Sequence, residues 1–427
     1  MGACQVCPAA LTPRRTGVQP ELVPAVLADP AAFFGPAALQ DPYPFYARMH
    51  AAGPVHRLGE SEFYLVAGWD ALLEVLARVH DFSSNLTATM VYHDDGTLTP
   101  FHMAPLGDPS HALATADDPV HALHRKLLIP HLAAKRLRAI ESFVAETADR
   151  LWAVNARCGR IEWMSSIANR LPMMVVARLI GVPDDDVDQL THWAYATTTM
   201  LDGIVAAEQL DAAAAAAMEL GGYVIEHFGK ASTQPRPTLL SDLAGRCAAG
   251  DLEQLHALGI MLTLFSAGGE STASLLGSAA WILASRADIQ RQVRDRPALL
   301  EPFIEEVLRY EPPFRGHYRH VRRDTTLAGV ALPADAHLLL LWGAANRDPA
   351  KFDRPGEFRL DRPATKNHLA FGRGVHFCVG AALARLEARV VLMSLLKRTT
   401  WIETDDIGEW LPSILVRRLH HLRLIAH

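Results

Sequence analysis

The 427-residue sequence has few cysteines, little excess charge and no long uninterrupted apolar run. Its five cysteines are scattered, so no disulfide framework is indicated. The net charge of -6 gives no broad basic surface for nucleic acid. No apolar run reaches membrane-spanning length, and the N-terminus MGACQVCPAALTPRRTG lacks the apolar centre of a signal peptide. We therefore expect a cytoplasmic protein without a nucleic-acid or membrane partner.

The residues that are present suit one large folded unit. Half of them are hydrophobic and 21% are charged, as in a protein with a well-filled core. Frequent prolines predict that residues 1–30 form an irregular N-terminal arm. No linker divides residues 31–427, which we interpret as a single domain. Cys4 and Cys7 have the spacing of zinc and redox sites, but no second pair or nearby histidine completes such a site.

Most of the chain has the composition of α-helices. Helices are expected within residues 120–156, from residue 168, within 205–228 and within 257–285. Strand patterns around glycine turns occur within 54–68 and again within 322–343. The sequence predicts a mainly α protein with small peripheral sheets.

The segment FGRGVHFCVG, residues 371–380, surrounds Cys378 with three glycines and precedes an apolar helix pattern. A helix start offers free backbone N–H groups and a positive dipole end. Both stabilise a thiolate, the form in which cysteine binds metal. The alternative is a buried structural cysteine beside a glycine turn.

This segment resembles the haem-binding signature F-G-x-G-x-H-x-C-x-G of the cytochromes P-450. The matching residues are Phe371, Gly372, Gly374, His376, Cys378 and Gly380. The resemblance implies the cytochrome P-450 fold, mainly α with about a dozen helices and small peripheral β-sheets that enclose a haem b. It also implies that Cys378 is the thiolate ligand of the iron.

Three further patterns occur in the order found in that family. Glu306 and Arg309 have E-x-x-R spacing, and with Arg362 they resemble the family's buried ion network, which has a structural role. Taken alone, the pair could belong to any exposed helix. His121 and Arg125 lie four residues apart and, with Arg319 and His376, resemble the family's partners of the haem propionates. An exposed charged cluster is the alternative.

The long apolar segment 257–285 has a polar centre. Gly268 and Gly269 are poor helix formers, and Glu270, Ser271 and Thr272 would place polar groups in a buried helix. We expect a helix that is locally opened or kinked above the haem. Ala267, Gly268 and Glu270 resemble the family's A-G-x-[DE]-T motif, in which Glu270 with Ser271 or Thr272 would relay protons. Ser271 departs from the usual threonine. A polar seam between two helices is the alternative.

The resemblance implies an oxidoreductase that reductively activates dioxygen at the haem to hydroxylate, epoxidise or oxidatively couple an organic molecule. Electrons from NAD(P)H would arrive through a separate ferredoxin or flavodoxin system, since no fused redox segment is recognised. Such a partner would dock near Arg373, Arg385 and Arg389. We expect a monomer.

The substrate is predicted to be mid-sized and mainly apolar or aromatic, as in natural-product metabolism. The predicted lining residues are Met90, Val91, Met200, Leu201, Phe265, Phe314, Ile414 and Leu415. Ordinary core packing is the alternative for each of them. Two other functions stay open: an oxidase that couples radicals without inserting oxygen, and a haem-binding sensor or carrier without turnover.

Overall fold

The computed structural model describes residues 29–103, 111–199, 201–202 and 207–427, which contain fifteen α-helices and twelve strands. Most of the arm predicted for residues 1–30 therefore lies outside the described residues. Its end differs from the prediction, because Asp29 caps a helix that begins at Pro30 and accepts a hydrogen bond from the Ala31 N–H at 2.9 Å. The first half of the chain contains helices α1 (Pro30–Phe34), α2 (Pro36–Gln40), α3 (Tyr43–Ala52), α4 (Trp69–Ala77), α5 (Val120–Leu128), α6 (Ala134–Asn155), α7 (Arg170–Ile180) and α8 (Val187–Thr199).

The second half contains helices α9 (Ala207–Thr233), α10 (Leu239–Ala248), α11 (Gln254–Ser285), α12 (Ala287–Asp295), α13 (Leu300–Tyr310), α14 (Trp342–Ala345) and α15 (Ala381–Arg398). Helix α11 is 32 residues long and packs against α7, α8 and α15. It therefore crosses the middle of the largest hydrophobic cluster. None of the described helices is long and apolar enough to cross a membrane.

The strands form small sheets at the periphery. They are β1 (Val55–Arg57), β2 (Phe63–Val66), β3 (Phe82–Ser83), β4 (Ala88–Tyr92), β5 (Leu98–His102), β6 (Arg160–Glu162), β7 (Gly316–Val321), β8 (Thr325–Leu327), β9 (Val330–Leu332), β10 (His337–Leu341), β11 (Ile402–Ile407) and β12 (Leu422–Ala426). The largest sheet has the order β1-β2-β10-β7-β3, with β10 parallel to β2 and antiparallel to β7. A second sheet has the order β11-β12-β6, and β4-β5 and β8-β9 are hairpins.

The predicted opening of the long helix is not observed, because α11 runs without a break through its glycines. Packing explains these glycines instead. A Cβ atom on Gly268 would lie 2.7 Å from Val176 Cγ2, and one on Gly269 would lie 2.5 Å from Met173 Cε. Both neighbours belong to α7. The glycines therefore allow α7 and α11 to approach closely.

Candidate functional site

A cavity lies between α11 and the loop that precedes α15. Its wall includes α11, the end of α7, strand β7 and the segment that carries Cys378. The lining residues from these parts are Thr263, Leu264, Ala267, Gly268, Ser271, Thr272, Leu275, Val176, Leu179, His317, Arg319, Phe371, Gly372, Arg373, His376, Cys378, Val379 and Gly380. All ten residues predicted to bind the cofactor belong to this wall: His121, Arg125, Ala267, Gly268, Arg319, Phe371, Gly372, His376, Cys378 and Gly380.

The cysteine loop has a backbone that requires glycine at two positions. Gly372 and Gly374 adopt φ angles of 65° and 73°, in the left-handed region that other residues rarely occupy. The Cys378 N–H then donates to the Phe371 carbonyl at 2.8 Å and closes the loop. Helix α15 begins three residues after Cys378, at Ala381. The thiol is therefore held at a helix N-terminus and on the cavity wall.

Two opposite influences act on the pKa of the Cys378 thiol. Burial raises the pKa, whereas the backbone N–H groups of Gly380 and Ala381 and the charges of Arg125 and Arg385 lower it. Burial is the larger effect, so the free thiol is protonated at neutral pH. The N–H groups and cations nevertheless stabilise a thiolate once a metal replaces the proton.

An edge that we call the cationic edge, after its two arginines, borders the cavity beside the cysteine loop and consists of Arg125, Arg319 and the neutral imidazoles of His121 and His376. The imidazole rings of His121 and His376 lie 3.9 Å apart, and Ser84 Oγ lies 2.9 Å from His376 Nε2. Burial, and then Arg319, lower the pKa of His376 to about 3. Arg125 donates to the Phe377 carbonyl at 2.8 Å.

Within the described residues no carboxylate is hydrogen-bonded to the buried Arg319 guanidinium, on which only the charge of Asp117 acts. Arg319 is 7% exposed, and its hydrogen bond within the described residues goes to the neighbouring Tyr318 carbonyl, at 2.7 Å. Burial lowers its pKa to about 10. A buried cation is costly unless an anion compensates it. The cationic edge therefore fits a ligand that carries carboxylates and extends across the cavity to Cys378.

The polar residues at the centre of α11 lie in two different environments. Ser271 and Thr272 line the cavity, and the Ser271 hydroxyl donates to the Ala267 carbonyl at 2.7 Å. Glu270 is 3% exposed and lies outside the cavity wall, where Arg418 Nε donates to its Oε1 at 3.2 Å. Burial raises the pKa of Glu270, and Arg418 only partly offsets this effect. Glu270 is thus a buried acid beside the cavity.

The structure brings Glu306, Arg309 and Arg362 together below the cysteine loop. Arg309 donates to both Glu306 oxygens at 2.7 and 2.8 Å, and Arg362 Nε donates to Oε1 at 2.9 Å. Arg309 also donates to the Asn346 carbonyl, and the Asn346 side chain accepts from the Leu369 N–H at 2.7 Å. The ion network is therefore connected to the residues just before the cysteine loop.

The structure places one of the eight residues predicted for the substrate pocket on the cavity wall. Of these eight residues, Phe314 lines the cavity and Met200 lies outside the described residues. Phe265 is buried in the main cluster on the face of α11 that turns away from the cavity, whereas the cavity receives Leu264. The remaining five pack in or against a second cluster formed with the N-terminal helices, or lie on hairpin β4-β5: Met90, Val91, Leu201, Ile414 and Leu415.

Asp202 holds the turn that contains Ile414 and Leu415. Its Oδ1 accepts hydrogen bonds from Ser413 Oγ and the Ile414 N–H at 2.7 Å, and from the Leu415 N–H at 3.2 Å. Burial raises the pKa of Asp202 to about 7, and the charge of Glu270 contributes in the same direction. The C-terminal turn is thus tied to the residues that follow α8.

Asp202→Asn keeps the accepting oxygen but does not titrate. Because the folded-state pKa of Asp202 exceeds the unfolded one, the wild type loses stability as pH rises from about 4 to about 7. We expect the variant to gain up to about 4 kcal/mol relative to the wild type across this range. Denaturant unfolding of both proteins at pH 4 and pH 8 measures the difference. Parallel changes in the two proteins would contradict the assignment.

Several cavity residues were not identified as lining residues from the sequence. Val176 and Leu179 at the end of α7, Trp342 after β10 and Glu387 on α15 all line the cavity. Val176, Leu179 and Trp342 occur in apolar runs, where nothing in the local pattern separates a cavity-facing side chain from a core one, and Glu387 lies on a helix face whose burial the local pattern does not show. His317 on strand β7 also faces the cavity.

The cavity fits a large flat cofactor. Its thiol can bind a metal, its cationic edge can bind carboxylates, and its apolar wall under α11 can cover the flat part. The comparisons agree with this class. The Cytochrome P450 family model matches residues 226–415. Cytochrome P450 144 of Mycobacterium tuberculosis is 63% identical over 396 residues, which cover 93% of this chain and 91% of the relative.

Two other proteins extend the comparison. The 6-deoxyerythronolide B hydroxylase of Saccharopolyspora erythraea is 30% identical over 90% of this chain and 95% of its own length. The crystal structure of CYP109E1 from Bacillus megaterium in complex with testosterone has a TM-score of 0.81 at 28% identity, covering 91% of this chain and 98% of the other. This chain belongs to the cytochrome P450 family. It is a haem-thiolate monooxygenase that uses dioxygen and receives electrons from redox partner proteins.

Proposed function

We propose that Cys378 supplies the thiolate and that the cationic edge of His121, Arg125, Arg319 and His376 binds the two haem propionates. The observation that carries this assignment is the buried Arg319, which forms no ion pair within the described residues and lies on the same cavity wall as the thiol. The haem, when bound, supplies the reductive activation of dioxygen. Residues 31–427 would form one catalytic domain around it, and Glu306, Arg309 and Arg362 would support the cysteine loop from below.

We assign proton delivery to the polar centre of α11. The Ser271 hydroxyl donates its hydrogen bond to the Ala267 carbonyl, so its oxygen lone pairs are free to accept a hydrogen bond from a water in the cavity. Thr272 lies beside it on the wall. Burial raises the pKa of Glu270, close behind this surface, and thereby favours the form that carries a proton. Arg418 fixes the carboxyl group in that position.

Ser271→Ala should lower the ratio of product formed to NAD(P)H consumed and raise hydrogen peroxide release, while haem content stays unchanged. Glu270→Gln should slow turnover itself, roughly 10- to 100-fold, because it removes the proton supply. Product, peroxide and NAD(P)H are measured together for both variants.

Thr263→Val is the matched control for these two variants. Thr263 lies on the same face of α11, lines the same cavity, and bonds back to the Gly259 carbonyl at 2.8 Å in the same way as Ser271. The control should leave the coupling ratio unchanged. Unchanged coupling and rate in both test variants would show that the polar centre only packs.

The substrate is proposed to be a mid-sized, mainly apolar molecule of natural-product metabolism. The cavity wall supports this with Leu264, Val176, Leu179 and Phe314. Two similar proteins, by their names, act on 6-deoxyerythronolide B and bind testosterone, both large ring compounds. Titration of a library of such compounds, followed through the haem spin state, tests the proposal. Tighter binding of small charged metabolites than of ring compounds would contradict it.

The partner is proposed to be an acidic ferredoxin or flavodoxin, reduced by NAD(P)H in the cytoplasm, that docks on the cysteine loop of a monomer. Two of the three arginines expected there are already compensated. Arg385 binds Glu305 at 2.6 Å, and Arg389 binds Glu141 at 2.6 Å. Exposed Arg373 and Lys126 remain, beside exposed Phe377 on the loop. These residues would form the docking surface.

Reduction by an acidic ferredoxin should slow as ionic strength rises, because screening weakens the attraction. Arg373→Glu combined with Lys126→Glu should slow it roughly tenfold at low salt. Lys230→Glu, an exposed position on α9, is the control and should have no effect. Stopped-flow reduction rates measure all three proteins. A rate independent of both salt and the double reversal would exclude this docking surface.

A further inference from the structure

His317 is a polar group that the proposed cofactor site does not use. It lies on strand β7 and lines the cavity. The indole Nε1–H of Trp342 donates to His317 Nδ1 at 2.6 Å. An indole nitrogen can only donate, so Nδ1 must be the accepting nitrogen of the imidazole. The proton of a neutral His317 is therefore on Nε2.

The ring is neutral at physiological pH. Burial, and then the positive charge of Arg319, lower the pKa of His317 to about 4. The other ionisable groups on the cavity wall are His121, Arg125, Arg373, His376, Cys378 and Glu387, and Arg319 is the one whose charge acts on His317. His317 thus offers a fixed Nε2–H donor rather than a charge. Nε2 has no hydrogen-bond partner among the described residues.

The position of His317 separates it from the cationic edge. On a strand, His317 and Arg319 point to the same side and lie roughly 7 Å apart. Arg319 influences the pKa of His376 and so belongs to the cationic edge. His317 is one step further along, where the Phe314 ring lies 5.1 Å away and the Trp342 ring 5.8 Å away. The donor therefore stands in the apolar part of the cavity.

We propose that His317 determines specificity by donating an Nε2 hydrogen bond to a neutral acceptor oxygen, a carbonyl or hydroxyl, on the apolar substrate. This inference rests on the proposed function, since it takes the cavity above Cys378 as the substrate site. His317 is half-buried on the cavity wall, and its Nε2–H has no acceptor among the described residues, so an acceptor on the ligand would pair with it as the ligand displaces water. A carboxylate ligand would fit less well, because a neutral imidazole cannot compensate its charge.

The test uses paired probes that differ only in the acceptor: 9-fluorenone and fluorene, 1-tetralone and tetralin, and 2-adamantanone and adamantane. Binding to the haem-loaded protein is measured by calorimetry and by the spin-state spectrum. We expect at least one ketone to bind the wild type roughly 3- to 10-fold tighter than its hydrocarbon. His317→Phe should reduce this preference to less than twofold, and His317→Gln, which keeps a donor, should retain part of it.

His320→Phe is the control on the same strand. His320 lies on the opposite face of β7, pairs with Asp335 at 3.1 Å, and is outside the cavity wall. Its replacement should leave the ketone preference intact. The inference is overturned if no ketone is preferred by the wild type, or if the preference survives in His317→Phe. Loss of haem from His317→Phe would also overturn it and would make His317 a propionate ligand.

The two levels of failure are distinguishable. If the wild type itself lacks a thiolate-ligated haem, the proposed function fails before any probe is added. If the wild type and His317→Phe both have normal haem content and a normal spectrum but show no ketone preference, only the role of His317 fails.

Discussion

Cys378→Ala will remove the thiolate signature from the haem spectrum and abolish monooxygenation. Cys378 is the cysteine that lines the cavity within the described part of the chain, where Cys158 is exposed and Cys247 is packed beside the core elsewhere. Among the described residues of the cavity wall, no other cysteine or methionine can replace it at the N-terminus of α15. Haem binding itself should weaken but persist in part, because the cationic edge remains. Absorption spectra, haem content and turnover measure these outcomes.

Cys247→Ala provides the matched control. It removes a partly buried thiol from α10, and both its spectrum and its turnover should equal those of the wild type. A Cys378→Ala protein that retains the spectrum of the wild type would assign the ligand to another residue. Simple misfolding is recognised by far-ultraviolet circular dichroism, which should stay unchanged in both variants.

Glu306→Ala will destabilise the fold by roughly 3–5 kcal/mol, because it leaves two buried arginines without their anion. Arg309 is 2% exposed and Glu306 is 3% exposed, so water cannot replace the lost partner. The Arg359 N–H also loses its acceptor, at 2.9 Å. Since Arg309 connects through Asn346 to Leu369, the cysteine loop should loosen and haem should be released more rapidly.

Glu301→Ala is the control on the same helix. Glu301 is exposed in the first turn of α13, and its loss should cost less than about 1 kcal/mol. Chemical denaturation of both variants, with haem release to apomyoglobin, provides the measurements. Equal stability of the two variants would show that the buried network contributes no more than a surface charge.

The features that the sequence predicts well are those encoded locally. Gly372 and Gly374 lie within six residues of Cys378, and their left-handed backbone angles are a property of glycine itself. Glu306 and Arg309 lie one turn apart on a helix, so their spacing alone brings them together. The mainly α fold with small sheets follows in the same way from periodicity and turn residues.

The features that the sequence predicts poorly depend on distant neighbours. Helix α11 is apolar on nearly all sides, so its pattern could not show that Leu264, rather than Phe265, faces the cavity. The effect of Gly268 depends on Val176, which fills the space beside it. The compensation of Arg389 comes from Glu141, 248 residues earlier in the chain. The local sequence pattern predicts none of these contacts.

The hairpin β4-β5 is also poorly predicted from the sequence. The same is true of the hydrogen bonds from the C-terminal turn to Asp202. Asp202 binds residues more than 200 positions later, and these contacts place Ile414 and Leu415 in the core rather than in the cavity. A sequence pattern shows that such residues are apolar but does not show which apolar surface receives them.

The most direct test of the central claim is the absorption spectrum of the ferrous carbonyl complex of the wild-type protein. The claim is that this cavity holds one haem b through the Cys378 thiolate. It predicts one haem per chain and a strongly red-shifted Soret band, which thiolate ligation produces. A haem-loaded protein whose carbonyl complex shows only the unshifted Soret band of histidine ligation would contradict the account.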